Sequence, residues 1–321
     1  VAALITQLEA GTTPWRREWD AAGQGHHVNL FSGRRYRGVN PVLLSLGQLR
    51  CGSAMPYWCG YVEARAHGLV PRRGSRAVHV LRPQLHQRGE DRPAPGAEAE
   101  STVSGSPAPG ATAPGATHSG AADTAPGNGR RWVSYRPLAL FNAADLQGEA
   151  LPALLQARRQ AERARTRPQP ERLAAAETVL GAWPVPVGFG GDRACYLPGA
   201  DRILLPERAA FHSPAALYAT WAHEAIHSTG HPSRLARDLS GGMGSGGDGG
   251  RAYAREELVA ELGAVLLGDR LEIGSAMANH AAYLGGWIAL LRESPRVLLQ
   301  VLSDARRAAD LICPEPAEGA G

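Results

Sequence analysis

The sequence contains no lysine; all 34 of its Lys+Arg positions are arginine. Bias toward GC-rich codons is enough to produce that composition. It still excludes ammonium groups as phosphate ligands and leaves only guanidinium, which forks phosphate with paired hydrogen bonds and stacks on bases. Cysteine is scarce. Cys51, Cys59, Cys195 and Cys313 form no CxxC pair and no zinc-knuckle spacing, so they read as free thiols of a reducing cytoplasm. No apolar run reaches the ~20 residues of a membrane helix, and no signal peptide is visible. The chain begins at Val1 rather than Met, so a few N-terminal residues are expected to precede it. From about 83 to 129 large apolar residues are nearly absent amid Pro, Gly, Ala, Ser and Thr. Such a segment cannot bury enough surface to fold and is expected to be a disordered insertion.

What is present is divided by charge. The 321 residues have room for two domains, and the net charge of +4 hides an asymmetry. Residues 1–82 hold 11 Arg against 4 acids, 83–170 hold 10 against 8, and 171–321 hold 13 against 18. A basic first part joined to an acidic last part implies that the first binds a polyanion. Its arginines are interleaved with aromatics: Trp15-Arg16-Arg17, then Arg35-Tyr36-Arg37 with Asn40, then Trp58, then Arg72-Arg73. Arginine for phosphates and aromatic faces for unstacked bases is the combination expected of single-stranded DNA binding. No recognition helix or finger for the major groove is visible. The competing reading has the aromatics filling a small core while the arginines are merely solvated.

The acidic part carries His223-Glu224-Ala225-Ile226-His227. Histidines four apart on a helix project from one face, so both imidazoles can reach one Zn²⁺. The glutamate between them can act as general base on a metal-bound water. The flanks predict a helix, with Ser213 as N-cap, Pro214 at the first helical position and Gly230 as the stop. Ala215, Ala219, Ala222 and Ile226 form its apolar stripe, widened by Leu217 and Trp221. A catalytic zinc needs a third protein ligand and an open position. His231 past the Gly230 break is one candidate. The others lie in Glu256-Glu257-Leu258-Val259-Ala260-Glu261, on a helix expected over about 252–267. Glu257 and Glu261 are one turn apart, so one can ligate while the other orients a ligand histidine. Glu261 lies among Leu258, Leu262 and Val265, where a free carboxylate is costly. The residues leave Glu257, Glu256 and His231 open, with Glu257 favoured.

Several runs then carry a resemblance: 194–198, 201–206, 223–235, 256–263, His280-Ala281-Ala282-Tyr283, Trp287 and 308–310. Together they resemble the C-terminal domain of ArdC-type antirestriction proteins, a zincin-like metallopeptidase fold. Gly11-Thr12-Thr13-Pro14-Trp15, Tyr36-Arg37-Gly38-Val39-Asn40, Pro56-Tyr57-Trp58, Gly68 and Arg73-Gly74 resemble the ArdC N-terminal domain. That domain also occurs in some plasmid primases and is associated with single-stranded DNA. Arginines stand where family members often have lysines. The resemblance implies that His223, His227 and Glu257 hold zinc and that Glu224 is the catalytic base. It also implies a role in protecting incoming plasmid or mobile-element DNA from host restriction.

The expected architecture is α+β with two domains. A small α+β DNA-binding module spans 1–150, with its insertion at about 83–129 and a returning strand at 137–142. A linker helix occupies 151–170. A mostly helical zincin-like domain with a small sheet spans 171–315, and 194–206 reads as a hairpin turning at Gly199. In zincins a strand before the active-site helix commonly aligns an extended substrate. Tyr283 is either an oxyanion donor or a packing residue, and His280 is equally undecided. The partners expected are single-stranded DNA and a host protein substrate such as a restriction component, in the cytoplasm and away from the membrane. The competing function is a non-proteolytic replication or transfer accessory whose zinc is structural.

Overall fold

A computed structural model describes residues 2–11, 25–87, 131–240, 247–275 and 281–315. It divides into two compact units, one of residues 1–81 with 137–321 and one of residues 82–136. The first half of the chain supplies α1 (Ala2–Glu9), β1 (Val28–Asn29), α2 (Asn40–Cys51), β2 (Tyr57–Cys59), α3 (Tyr61–Ala66), β3 (Val70–Pro71), β4 (Val78–Gln87), β5 (Arg131–Asn142) and β6 (Leu146–Gln147). One sheet has the order β1-β2-β5-β4, with β1 parallel and β5 antiparallel to β2. β3 and β6 form a separate antiparallel pair. The returning strand expected at 137–142 is the end of β5. One boundary needs correction: 83–87, assigned from composition to the insertion, belong to β4. A ladder satisfies backbone N–H and C=O groups whatever the side chains are, so a strand can outrun its apolar residues. The rest of the expected insertion, 88–129, lies outside the described residues.

The second half supplies α4 (Leu151–Arg165), α5 (Gln169–Gly181), β7 (Val187–Phe189), β8 (Cys195–Leu197), β9 (Arg202–Leu205), α6 (Pro214–Ser228), α7 (Gly247–Leu271), α8 (Ala281–Glu293) and α9 (Val297–Ile312). α4, expected as a linker, is docked. Leu151, Leu154 and Leu155 share one face and pack on the core of Val28, Leu30, Tyr57 and Leu146. Arg158 on the same helix donates to the carbonyls of Leu30 (3.0 Å) and Phe31 (2.5 Å). β8 and β9 form the expected hairpin, with Cys195 opposite Leu204, and β7 lies parallel on the other side of β9. β8 is therefore an edge strand of this small sheet.

The largest core gathers α5, α6, α7 and α9 with Trp287 of α8, and it also takes in Leu4 and Leu8 of α1 and Val42 of α2. α7 is longer than the expected 252–267. It meets α6 where Gly263 lies under Ile226, the residue just before His227. A Cβ at Gly263 would stand 2.8–3.0 Å from three side-chain carbons of Ile226. Only a residue without a side chain allows the two helices to approach this closely. Gly263→Ala is therefore expected to overpack the contact and cost about 1–3 kcal/mol. Thermal and denaturant melts read this directly, and an unchanged midpoint would contradict the close contact.

Just after α7, Glu272 takes a left-handed backbone conformation (φ 59°), uncommon outside glycine. Its Oε1 lies 3.1 Å from both His26 Nε2 and Arg35 Nη2, and its Oε2 accepts from Arg167 Nε at 3.1 Å. Its carbonyl accepts from buried Arg172 at 2.5 Å, and His26 Nδ1 lies 3.2 Å from Asp269. Burial opposes charge on Glu272, but His26, Arg167 and Arg35 outweigh it and hold the carboxyl down at about 2. Burial also opposes charge on His26, and Asp269 and Glu272 keep its pKa above the ordinary 6.5. Glu272 thus stabilises the fold above the unfolded carboxylate value of ~4.3, a contribution lost as pH falls toward 2. His26 contributes below ~6.5, a contribution lost as pH rises through its folded value. The difference in melting temperature between the native chain and Glu272→Gln should therefore be largest between about pH 4.5 and 6.5 and shrink on both sides. A pH-independent difference would rule out the ionised junction.

Candidate metal centre and nucleic-acid residues

Ser213 caps α6 as expected, its Oγ accepting from the Ala216 N–H at 3.1 Å, with Pro214 behind it. Gly230 follows the helix, but its role is steric: a Cβ there would meet Leu239 at 2.9 Å and the His227 carbonyl at 3.1 Å. The chain then folds back, and two arginines satisfy the last carbonyls of α6. Arg234 Nε donates to Ser228 O at 2.7 Å and Arg237 Nη2 to Ile226 O at 2.8 Å.

At the C-terminal end of α6 the Nε2 atoms of His223 and His227 lie 3.1 Å apart. Each lies 3.6 Å from an oxygen of Glu257 on α7. These three side chains form a group whose ligand atoms all fall within 4.8 Å of one another. Glu257 Oε2 is buried and accepts no hydrogen bond, which leaves carboxylate lone pairs without compensation. Two metal–nitrogen bonds of about 2.0–2.1 Å at a tetrahedral angle span about 3.3 Å, close to the observed separation. The donor set, the converging geometry and the orphaned oxygen all fit a divalent cation.

His227 Nδ1 lies 3.1 Å from Glu256 Oε1. Glu256 is gripped in turn by Arg237, whose Nε and Nη2 donate to its two oxygens at 2.9 and 2.8 Å. Burial opposes charge on His227, but Glu256 and Glu257 outweigh it and hold its imidazole up at about 10. Burial likewise opposes charge on Glu257, and the two histidines nevertheless keep its carboxyl well below the usual range. Both shifts report the same pull toward a positive charge at the focus, which a metal ion would replace.

Glu256, not singled out for that place in the sequence, stands against His227; Glu261 was the carboxylate expected to orient a histidine. Glu261 is fully buried one turn beyond Glu257. His231 is outside the cluster, its Nδ1 paired with Ser233 Oγ at 2.7 Å. Arg237 was not foreseen. The available signal was that a carboxylate inside an apolar helix needs a cation and that the fold-back after α6 carries two arginines. Glu224 is buried beside the histidines on α6. Its charge, after burial, helps push up the Cys195 thiol at the start of β8, and β8 packs against α6. His280 and the side chain of Tyr283 lie outside the described residues.

The residues expected to touch DNA are not all surface groups. Trp58 is a core residue rather than a stacking face: it is fully buried, and its Nε1 donates to His27 Nδ1 at 3.0 Å. Alternation on β2 does not hold, because all three of its residues are buried. Asn40 clasps β4 through both backbone groups of Leu81, at 2.8 and 3.0 Å. Tyr36 is half-buried against the core that contains Trp58, and its hydroxyl is pushed up by that burial. Arg35 points to Glu272. Arg37, Arg72 and Arg73 are exposed, as are Arg34, Arg65 and Arg76. Trp15, Arg16 and Arg17 lie outside the described residues.

An HExxH helix facing a carboxylate-bearing helix beside a small mixed sheet defines a zincin-like metallopeptidase domain, and residues 174–304 match that family. Residues 1–107 match the N-terminal domain of the anti-restriction factor ArdC, so the α+β chain joins an ArdC-type N-terminal domain to a zincin-like metallopeptidase domain. It is 34% identical over 315 residues to a DNA primase TraC of Escherichia coli, covering 96% of this chain and 26% of the primase. A second TraC of the same species is 33% identical and is covered over 19% of its length. The chain thus spans only 19–26% of the length of these two curated relatives. The uncharacterized protein y4eC of Sinorhizobium fredii (strain NBRC 101917 / NGR234) is 29% identical over 96% of this chain and 88% of its own length. Crystal structures of the antirestriction ArdC protein from plasmid R388, metal-free and Mn(II)-bound, superpose with a TM-score of 0.60 at 27% identity. They cover 97% of this chain and 94% of the R388 protein.

The pairing of Glu256 with His227 yields a specific expectation. Glu256→Gln should keep the fold while weakening divalent-metal binding about 10–100-fold, as loss of a partner behind a ligand histidine does. Competition with a chromogenic chelator measures it. Unchanged affinity would show that Glu256 does not orient the ligand.

Proposed function

We propose that this chain is a zinc-dependent, metallopeptidase-like antirestriction protein that binds single-stranded DNA and protects incoming plasmid or mobile-element DNA in the cytoplasm. The observation that carries the reading is the convergence of His223, His227 and Glu257 with Glu224 on the same helix. His223, His227 and Glu257 hold the metal, and Glu256, anchored by Arg237, fixes the tautomer and direction of His227. A bound zinc supplies Lewis-acid polarisation of a carbonyl and lowers the pKa of water. Glu224 takes the proton from the attacking water and returns it to the leaving amine. β8, at the edge of its sheet and beside Glu224, offers unpaired backbone groups to an extended peptide. The mixed imidazole and carboxylate donors also admit manganese, the ion bound in the R388 protein. Exposed Arg37, Arg72 and Arg73 are the phosphate ligands that the N-terminal part offers to DNA. No helix among the described residues is long and apolar enough to cross a membrane.

The names of the TraC relatives favour a second reading, a DNA replication or transfer accessory in which the metal is structural and no peptide is cut. Glu224→Ala separates the two. Under the first reading the variant retains its metal and melting temperature but no longer protects transferred DNA or cleaves its protein target. Under the second, protection is unaffected. Single-strand binding should weaken as salt rises and should exceed duplex binding at equal ionic strength. Titration of labelled strands at two salt concentrations checks this, and equal affinity for duplex would remove the single-strand preference.

A further inference from the structure

Apart from the metal centre, a cavity of about 650 Å³ opens beside the Glu272 junction. Its wall carries Arg35, Arg163, Arg165, Arg167 and Arg172, against only two carboxylates, Glu162 and Glu272. Those carboxylates do not neutralise it. Glu272 is taken up by His26, Arg35 and Arg167 at the floor. Glu162 lies 4.0 Å from Arg165 and nearer, at 3.7 Å, to Arg158. Arg172 is buried and held by two backbone carbonyls, those of Arg167 (3.0 Å) and Glu272 (2.5 Å), and so brings positive charge without a carboxylate of its own. Arg163 and Arg165, on the last turn of α4, stand exposed at the rim. An excess of fixed guanidinium in a concave wall focuses potential on anions.

The carboxylate-sized place against His26, Arg35 and Arg167 is already filled by Glu272. What remains is a wider space rimmed by guanidinium, suited to an anion with several oxygens. A cavity of this volume falls within the range of small-ligand sites and exceeds the needs of a lone phosphate. Guanidinium pairs with phosphate oxygens two at a time. We propose that this cavity binds the phosphate of a nucleotide, with Arg163 and Arg165 as its outer ligands. The nucleotide is either free or the 5′ end of a DNA strand, since both present the same nucleoside phosphate. The site requires neither the metal nor the exposed arginines assigned above to strand binding.

The test uses the full chain with a chelator present, so that the metal centre cannot hold phosphate. Calorimetry compares thymidine monophosphate with thymidine, and oligothymidylate with and without a 5′-phosphate. The expected result is binding of the monophosphate at one site, at least tenfold tighter than thymidine. A double variant, Arg163→Ala with Arg165→Ala, should weaken it at least tenfold without changing the melting temperature of the free protein. If the 5′-phosphorylated strand binds more tightly than the unphosphorylated strand and the Arg163→Ala, Arg165→Ala double variant removes that difference, the source is a strand end; if the two strands bind alike, the source is the free nucleotide. Equal binding of thymidine and its monophosphate would overturn the proposal, as would a double variant that binds the monophosphate like the native chain. A separate variant, Arg72→Ala with Arg73→Ala, should retain monophosphate binding even where it loses strand binding, so failure of one reading is not failure of the other.

Discussion

Carboxylates inside an apolar helix are the constraint on which the C-terminal half depends. Glu256, Glu257 and Glu261 are all buried in α7, among Leu258, Val259 and Leu262. Moving an ion out of water costs several kcal/mol even after relaxation, so cations must be delivered to them. Arg237 is brought to Glu256 by the fold-back after α6, and the histidines of α6 are brought to Glu257. That delivery requires the helices to approach closely, which the missing side chain of Gly263 permits. The same residues that create the electrostatic problem therefore define the place where a metal can solve it.

What could be read from the sequence was local. The cap at Ser213, the four-residue spacing of the histidines and the hairpin at 195–205 each involve neighbours within a few positions, where helix and strand periods are directly visible. The placing of Glu257 opposite the histidines was approached the same way, from its one-turn spacing to Glu261. What was missed depends on distant partners. Trp58 is placed in the core through His27, 31 positions away, and Arg237 reaches Glu256 across a 19-residue gap. Nothing in the immediate surroundings of Trp58 separates a stacking aromatic from a buried one. Only the pairing of β2 between two neighbours decides it.

The N-terminal part shows how composition and placement divide the work. Many of its arginines are exposed, whereas several aromatics turn inward to build a small core. Because the similarity to TraC runs through 96% of this chain yet covers 26% of one primase and 19% of the other, the whole two-part arrangement recurs within much longer proteins. It does not recur merely as separate halves.

α7 carries Glu257 near its middle and ends beside Glu272, about 22 Å farther along at 1.5 Å per residue. The negative end of its peptide dipole lies there, together with the charges of Asp269 and Glu272. The counter-charges come from His26 and Arg35 upstream and from Arg167 and Arg172 after α4. In effect, the N-terminal part of the chain supplies half of the terminal cap of α7. A cut between the two parts would sever no covalent tie within the C-terminal half, yet it would leave one of its main struts with an under-neutralised end. The two parts are distinct in sequence and joined in stability.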